Sequence, residues 1–166
     1  RSESIENALL YQSFLGQEIQ LTEPICSHDT VRLMCNMKAN NQGISFYYLL
    51  PLTEDRVLVE PTIFSRQVLP PLQLQPLFQE IYNIENIEVK KVLRQESAVL
   101  PMGREYKSPK AGVIKGGIAG GALRSSSGYG FLRIQHWAEQ CAYSILNDQN
   151  ATYYSQDPFQ EKMDRL

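Results

Sequence analysis

Residues 49–65, Leu-Leu-Pro-Leu-Thr-Glu-Asp-Arg-Val-Leu-Val-Glu-Pro-Thr-Ile-Phe-Ser, set one acidic side chain, Glu60, in an otherwise apolar run. Side chains alternate between the two faces of a strand, so Leu58 and Glu60 share one face while Val57 and Val59 share the other. A carboxyl group enclosed by apolar side chains keeps its proton to higher pH than usual, because burial penalises the charged form. A protonated carboxylic acid in an apolar pocket is suited to protonating an alkene. Alternation by itself also describes, and favours, a plainer arrangement in which Glu60 lies on the solvent face of a half-exposed sheet. Nearby, Phe46 and Tyr48 fall on one face and Tyr47 on the other, with Phe64 on the second arm of the hairpin. Aromatic rings stabilise a carbocation by about 1–2 kcal/mol each when desolvated. Aromatic residues in strands are more often simple core, and without the register the two uses are not separable.

A second group lies at Gly116–Gly121 and Ser125-Ser-Ser-Gly128-Tyr129. Glycine has no side chain to hold a neighbour off, so Gly117, Gly120 and Gly121 permit close approach of something to the backbone. Ser127 and Gly128 stand just before a helical pattern that starts near Tyr129, and a plain helix cap explains much of that composition. The same helix start, with its exposed N–H groups and positive dipole end, also favours a negatively charged partner.

The elements that must position these residues follow from hydrophobic periodicity. Strand-like segments fall at about 9–20, 30–38, 44–52, 56–64, 87–100 and 112–119. Thr53-Glu54-Asp55-Arg56 reads as the turn of a β-hairpin, and Asn40-Asn-Gln-Gly43 and Pro70-Pro71 as further breaks. Residues 74–83 carry a short helical pattern, and Ile134, Trp137, Ala138, Cys141, Ala142 and Ile145 recur at helical spacing, predicting one buried stripe. Strands followed by a terminal helix predict an α+β fold with a mostly antiparallel sheet. The expected organisation is a β-sheet portion over 1–110, a Gly-rich strand, turn and helix over 111–150, and the start of a further helical region over 151–166.

Composition narrows the function classes. The 166 residues are 43% hydrophobic, enough to bury one core, and the net charge of −2 offers no basic stripe for nucleic acid. Cys26, Cys35 and Cys141 form no Cys-x-x-Cys unit and their odd number suits a reducing compartment. His28 and His136 lack metal-ligand spacing, so no metal is expected. No apolar run is long enough to span a bilayer and no signal peptide opens the sequence, so the expected location is the cytoplasm.

The hairpin pattern Leu-Pro-Leu-Thr-Glu-Asp-Arg-Val-Leu-Val-Glu60-x-Thr62 resembles the lycopene cyclases of the bacterial and plant flavoprotein type. Further blocks agree in order and approximate spacing. They are Gln12-Ser-Phe-Leu-Gly16 followed by Glu18; Pro24 with Leu33-Met34; Glu96-Ser-Ala-Val-Leu-Pro-Met-Gly103; and Gly117-Ile-Ala-Gly-Gly121-Ala-Leu-Arg-Ser-Ser-Ser-Gly128-Tyr129. The resemblance covers nearly the whole chain. It implies that Glu60 stands at the position of the catalytic first acid of an acid-acid-Thr motif, with Pro61 in place of the second acid. Cys35 replaces the family's Asp after that Met, Arg124 its His and Ser125 its Pro.

The resemblance also implies that Gly117, Gly120, Gly121, Ser127, Gly128 and Tyr129 contact the flavin of FAD, which is reduced by NAD(P)H. It further implies a Rossmann-type α/β flavoprotein as the larger context, with lycopene or a related linear carotene as substrate and peripheral contact with a membrane. The implied reaction is an isomerisation: an acid protonates a terminal double bond and the end of the carotene closes into a β-ring. Glu60 is the candidate acid; Phe46, Tyr48 and Phe64 are candidate substrate contacts. Glu54 and Asp55, in a turn open to water, are poorer acids, and Glu96 ranks below Glu60. No Gly-x-Gly-x-x-Gly turn for a pyrophosphate is present, the nearest string being Gly128-Tyr-Gly130-Phe-Leu-Arg133. With Arg1 in place of Met and a helical pattern still running at Leu166, the sequence reads as an internal fragment of a larger protein, unable by itself to hold FAD firmly. Two other readings stay open: a redox flavoenzyme such as a hydroxylase or isoprenoid reductase, and a catalytically silent carotenoid- or lipid-binding descendant.

Overall fold

The computed structural model describes residues 8–24, 28–103, 113–147, 149 and 158–164. Cys26, the 104–112 stretch and most of the 151–166 tail lie outside the described residues. The chain divides into two compact units, Tyr11–Leu100 and Arg1–Leu10 with Pro101–Leu166.

The first unit is a five-stranded sheet backed by two short helices. Its strands are β1 (Leu10–Leu21), β2 (Arg32–Asn40), β3 (Gly43–Thr53), β4 (Arg56–Ser65) and β5 (Val89–Met102), in the order β2-β3-β4-β1-β5. β2 with β3, β3 with β4 and β1 with β4 pair antiparallel. The β3–β4 connection is as tight as a hairpin allows: Thr53 pairs with Arg56, leaving Glu54 and Asp55 as the loop. Asp55 accepts hydrogen bonds from Thr53 Oγ1 and Gln20 Nε2 at 2.9 Å each, which ties the turn to β1. At the β2–β3 turn Asn40 Oδ1 accepts from the N–H groups of Gln42 and Gly43. Gly43 has φ +140°, and a Cβ there would lie 1.9 Å from the Phe64 carbonyl oxygen, so only glycine fits.

Proline sets the remaining local structure. Pro61 pairs with Tyr47 of β3, but the β1–β4 ladder is interrupted between Phe14↔Thr62 and Gln17↔Val59, because Pro61 has no N–H to donate. Pro70 and Pro71 end the strand region and open helix α1 (Pro71–Leu74), with proline at its first position, and Pro76 precedes α2 (Leu77–Glu85). Leu74, Phe78 and Ile81 from these helices pack on Leu15, Ile19, Tyr47, Leu49, Val57, Val59 and Ile63 to form the core. These strand residues belong to one face of the sheet, as period-two alternation requires. On that side Tyr47 donates its hydroxyl to Glu85, which also pairs with Arg32. Cys35 is half-buried against the core on a strand whose register shifts on both sides of it, flanked by Met34 and Asn36, each at φ 51°.

In the second unit the expected strand over 112–119 is absent from its described part. Gly117–Gly120 instead forms a 3₁₀ turn, closed by Gly121 at φ 80°, because glycines at both ends accept backbone angles that a strand does not use. Helix α3 spans Phe131–Leu146 and begins two residues after the expected Tyr129; its N-cap is Gly130, with no side-chain cap from the preceding serines. The predicted buried stripe is also corrected. Ile134, Trp137 and Cys141 are half-buried, while Ala138, Ala142 and Ile145 are exposed, because among the described residues nothing covers that side of the helix. A last helix, α4, spans Pro158–Asp164.

Leu74→Ala should lower unfolding free energy by about 2–5 kcal/mol in urea titrations, because Leu74 is fully buried under the sheet. In the second unit a Cβ on Gly116 would lie 2.5 Å from ring carbons of Trp137, the single tryptophan. Gly116→Ala should therefore shift tryptophan emission, whereas Leu74→Ala should leave the native emission maximum in place.

Candidate active site

The hairpin that carries Glu60 also fixes its neighbours. Across β3 and β4 the register pairs Tyr48 with Glu60, Phe46 with Thr62, Ile44 with Phe64 and Leu50 with Leu58. Phe46, Tyr48, Leu58, Glu60, Thr62 and Phe64 thus share the face opposite the helix-covered core. The rings form a connected group: Phe46 meets Tyr48 edge-on with centroids 5.5 Å apart, and Phe64 edge-on at 5.0 Å. Phe46 and Phe64 are buried, Tyr48 and Glu60 half-buried. On this face Glu60 therefore lies opposite Tyr48 and between Leu58 and Thr62 along β4. Val57 and Val59, adjacent in sequence, belong to the core on the other face.

Glu60 holds its proton above the ordinary carboxylate range. Burial is the larger cause, the negative charge of Glu96 on β5 adds to it, and a long hydrogen bond from Thr62 Oγ1 (3.4 Å) opposes both. Tyr48 is raised by its own burial first and by the facing Glu60 second. The same face carries an ionic chain further along. Arg56 pairs with Glu18, Arg94 Nε lies 3.4 Å from Glu18 Oε2, and Arg94 Nη1 lies 2.8 Å from Glu96 Oε2. Glu18 is lowered, chiefly by its hydrogen bond from Arg56, whereas Glu60 is raised, so the two carboxyl groups on this face are shifted in opposite directions. Among the described residues the ion pairs fall on Glu18, Glu80, Glu85 and Glu96, and Glu60 has none. Glu54 is exposed in the hairpin loop, and Asp55 is lowered by its hydrogen bonds from Gln20 and Thr53, the direction that disfavours a proton donor.

Arg94 joins this face without any signal in the sequence, Thr62 and Gly16 had entered only through the family resemblance, and Glu96, a weaker candidate acid, enters as a neighbour of the acid. Adjacency of β5 to β1 brings Glu96 there, and strand order is not written in local periodicity.

The Gly-rich segment belongs to the other unit and is built mainly for its own turn. The N–H groups of Gly120, Gly121 and Ala122 donate to the carbonyls of Gly116, Ile118 and Gly117, and that of Gly128 to Arg124. A Cβ on Gly120 would meet the Lys115 carbonyl oxygen at 2.4 Å, so this glycine serves packing. Gly121 and Gly128 are needed for their positive φ of 80° and 67°. Gly117, at φ 59°, has nothing within 4 Å of where a Cβ would stand, and Ser127 and Tyr129 are exposed. Gly117, Ser127 and Tyr129, together with the N-terminus of α3, are the parts of this segment open to a ligand. Among the described residues no group of His, Cys, Asp and Glu could hold a metal, and no helix is long and apolar enough to cross a membrane.

A family model described as lycopene cyclase protein matches residues 2–164. A lycopene beta-cyclase of Pseudescherichia vulneris is 29% identical over 129 residues, which is 72% of this chain and 32% of that protein. The chain thus spans about a third of the length of the curated relative it matches. With the match running almost end to end, the chain belongs to the lycopene cyclase family.

Proposed function

We propose that the whole protein is a lycopene cyclase that closes β-rings on a linear carotene, with Glu60 as the proton donor. The observation that carries this reading is a carboxyl group without a cationic partner among the described residues, its proton affinity raised by burial, on a sheet face that also carries Phe46, Tyr48 and Phe64. Glu60 delivers its proton to the terminal double bond and leaves a tertiary cation. The neighbouring alkene attacks that cation, and loss of a proton gives the cyclohexene ring. One proton enters and one leaves, so substrate and product are isomers. Phe46, Tyr48 and Phe64 present ring faces and edges that exclude water, and a ring face toward the cation contributes about 0.5–2 kcal/mol. The Thr62 hydroxyl orients the carboxyl through its hydrogen bond.

Gly117, Ser127 and Tyr129, with the N-terminus of α3, suit a flavin, and Gly128 shapes the turn before the helix: the turn leaves Gly117 open, and the helix dipole favours a negatively charged ring. Bound as reduced FAD, kept so by NAD(P)H, the cofactor would supply negative charge of the kind that stabilises a cationic transition state, with no net transfer of electrons. Gly120 and Gly121, needed for the turn itself, hold that segment in shape. A carotene substrate is stored in membranes, and exposed Val31, Leu33 and Met37 near the sheet edge offer apolar surface for a peripheral contact.

Glu60→Gln in the full-length protein should abolish ring closure while flavin content stays near that of the parent, since glutamine keeps the size but donates no proton of useful acidity. Carotenoid profiles of lycopene-accumulating bacteria expressing the variant measure this, and undiminished cyclisation would remove Glu60 from the mechanism. The product should have the mass of its substrate. A product two mass units heavier, or deuterium carried in from labelled NADPH, would place the protein among flavin reductases; unchanged carotene in every variant and the parent alike would make it a binder.

The raised proton affinity of Glu60 has a sign in stability. The folded state binds this proton more tightly than the unfolded one, so the contribution is fully present below the ordinary Glu value of 4.5 and is lost as pH rises through the folded value. Urea unfolding should accordingly show Glu60→Gln gaining stability relative to the parent as pH is raised from about 4 to about 8.

A further inference from the structure

Gly16 lies in the gap of the β1–β4 ladder, level with Glu60 by continuation of the register between Phe14↔Thr62 and Gln17↔Val59. The space above it is taken by a side chain from β5. A Cβ on Gly16 would lie 3.2 Å from Glu96 Cγ, 3.6 Å from Glu96 Oε1 and 3.4 Å from Leu58 Cδ1. Glu96 thus arches across β1 toward Glu60 over a residue with no side chain of its own. Its other oxygen, Oε2, accepts from Arg94 Nη1 at 2.8 Å, so the carboxylate is tethered through one oxygen while the other is turned to Gly16. Among the described residues of the sheet, the charged and titratable groups on this face are Glu18 of β1, Tyr48 of β3, Arg56 and Glu60 of β4, and, by alternation, Lys90 with Arg94 and Glu96 of β5. Both arginines are engaged by Glu18 or Glu96.

We propose that Glu96 is a positioning residue that acts through Glu60: fixed over Gly16 by Arg94, its carboxylate keeps the proton on the neighbouring acid, so that Glu60 remains a donor at neutral pH. Two carboxyl groups in one partly buried site do not both ionise readily, and the one with a guanidinium partner keeps the charge. The member of such a pair without a cation becomes the acid. This inference rests on Glu60 being the proton donor in cyclisation.

The test uses the full-length protein with reduced FAD and lycopene in detergent micelles, measuring the pH profile of kcat. Glu96→Gln should move the alkaline limb of the profile to lower pH, lowering kcat at least about 3-fold near pH 8 while leaving it within about 2-fold near pH 5.5. Glu96→Asp, which keeps the charge, should restore part of the loss. Gly16→Ala, whose Cβ would press on Glu96 Cγ, should shift the same limb in the same direction and decides the matter if Glu96→Gln does not fold. An unchanged profile, or an equal loss at every pH, overturns the role of Glu96 while Glu60→Gln still abolishes turnover. Turnover that survives Glu60→Gln overturns the donor assignment itself, and this inference with it.

Discussion

The antiparallel pairing of β3 with β4 is the constraint on which the site depends. Because the side-chain period is two, a single register assigns Val57, Val59, Pro61 and Ile63 to one face and Leu58, Glu60, Thr62 and Phe64 to the other. A slip of one residue would bury Glu60 under α2 and expose the valines. The loop of Glu54 and Asp55, tied to Gln20, and the obligatory glycine at 43 hold that register from both ends of β3. One face thereby forms a dry core with Leu74, Phe78 and Ile81, and the other is free to carry an acid among aromatic rings.

Charge is sorted along that second face. Near the hairpin turn Arg56, Glu18 and Arg94 neutralise one another, and Arg94 also holds Glu96. Farther along the same face lie Phe46, Tyr48 and Phe64, with Tyr48 paired to Glu60 across the strands, and among the described residues Glu60 has no ion pair. The same residue type is consequently driven in opposite directions: guanidinium groups stabilise the charge of Glu18 and lower its proton affinity, while burial and a like charge raise that of Glu60. Pro61 contributes by what it lacks. Its missing N–H opens the ladder beside Glu60, and Gly16 in that opening leaves room for Glu96.

The Gly-rich segment obeys a different economy of space. Most of its glycines satisfy the geometry and hydrogen bonds of the turn, and few are left to admit a neighbour. Close packing of Trp137 on Gly116 and of Leu123 on Gly130 anchors α3 to that turn. The exposed apolar side of α3, with Phe131, Leu132, Ile145 and Leu146, is surface that the described residues leave uncovered.

Much of the sheet could be read from the chain alone. The strands about Leu10–Leu21, Arg32–Asn40, Gly43–Thr53, Arg56–Ser65 and Val89–Met102, and the common face of Phe46 and Tyr48, follow from period two and turn residues, which are local properties. The expectation that the proton affinity of Glu60 is raised came from local apolarity; the structure adds the like charge of Glu96 to burial as a cause. The strand expected over 112–119 failed because glycine permits strand and turn angles alike, and only the hydrogen bonds of the folded chain select one. The buried stripe of α3 failed because periodicity gives the direction of an apolar face but not what covers it. Strand order, which sets β5 beside β1 and so brings Glu96 over Gly16 to Glu60, was decided only by tertiary structure, since residues 80 apart meet through packing that no local pattern encodes.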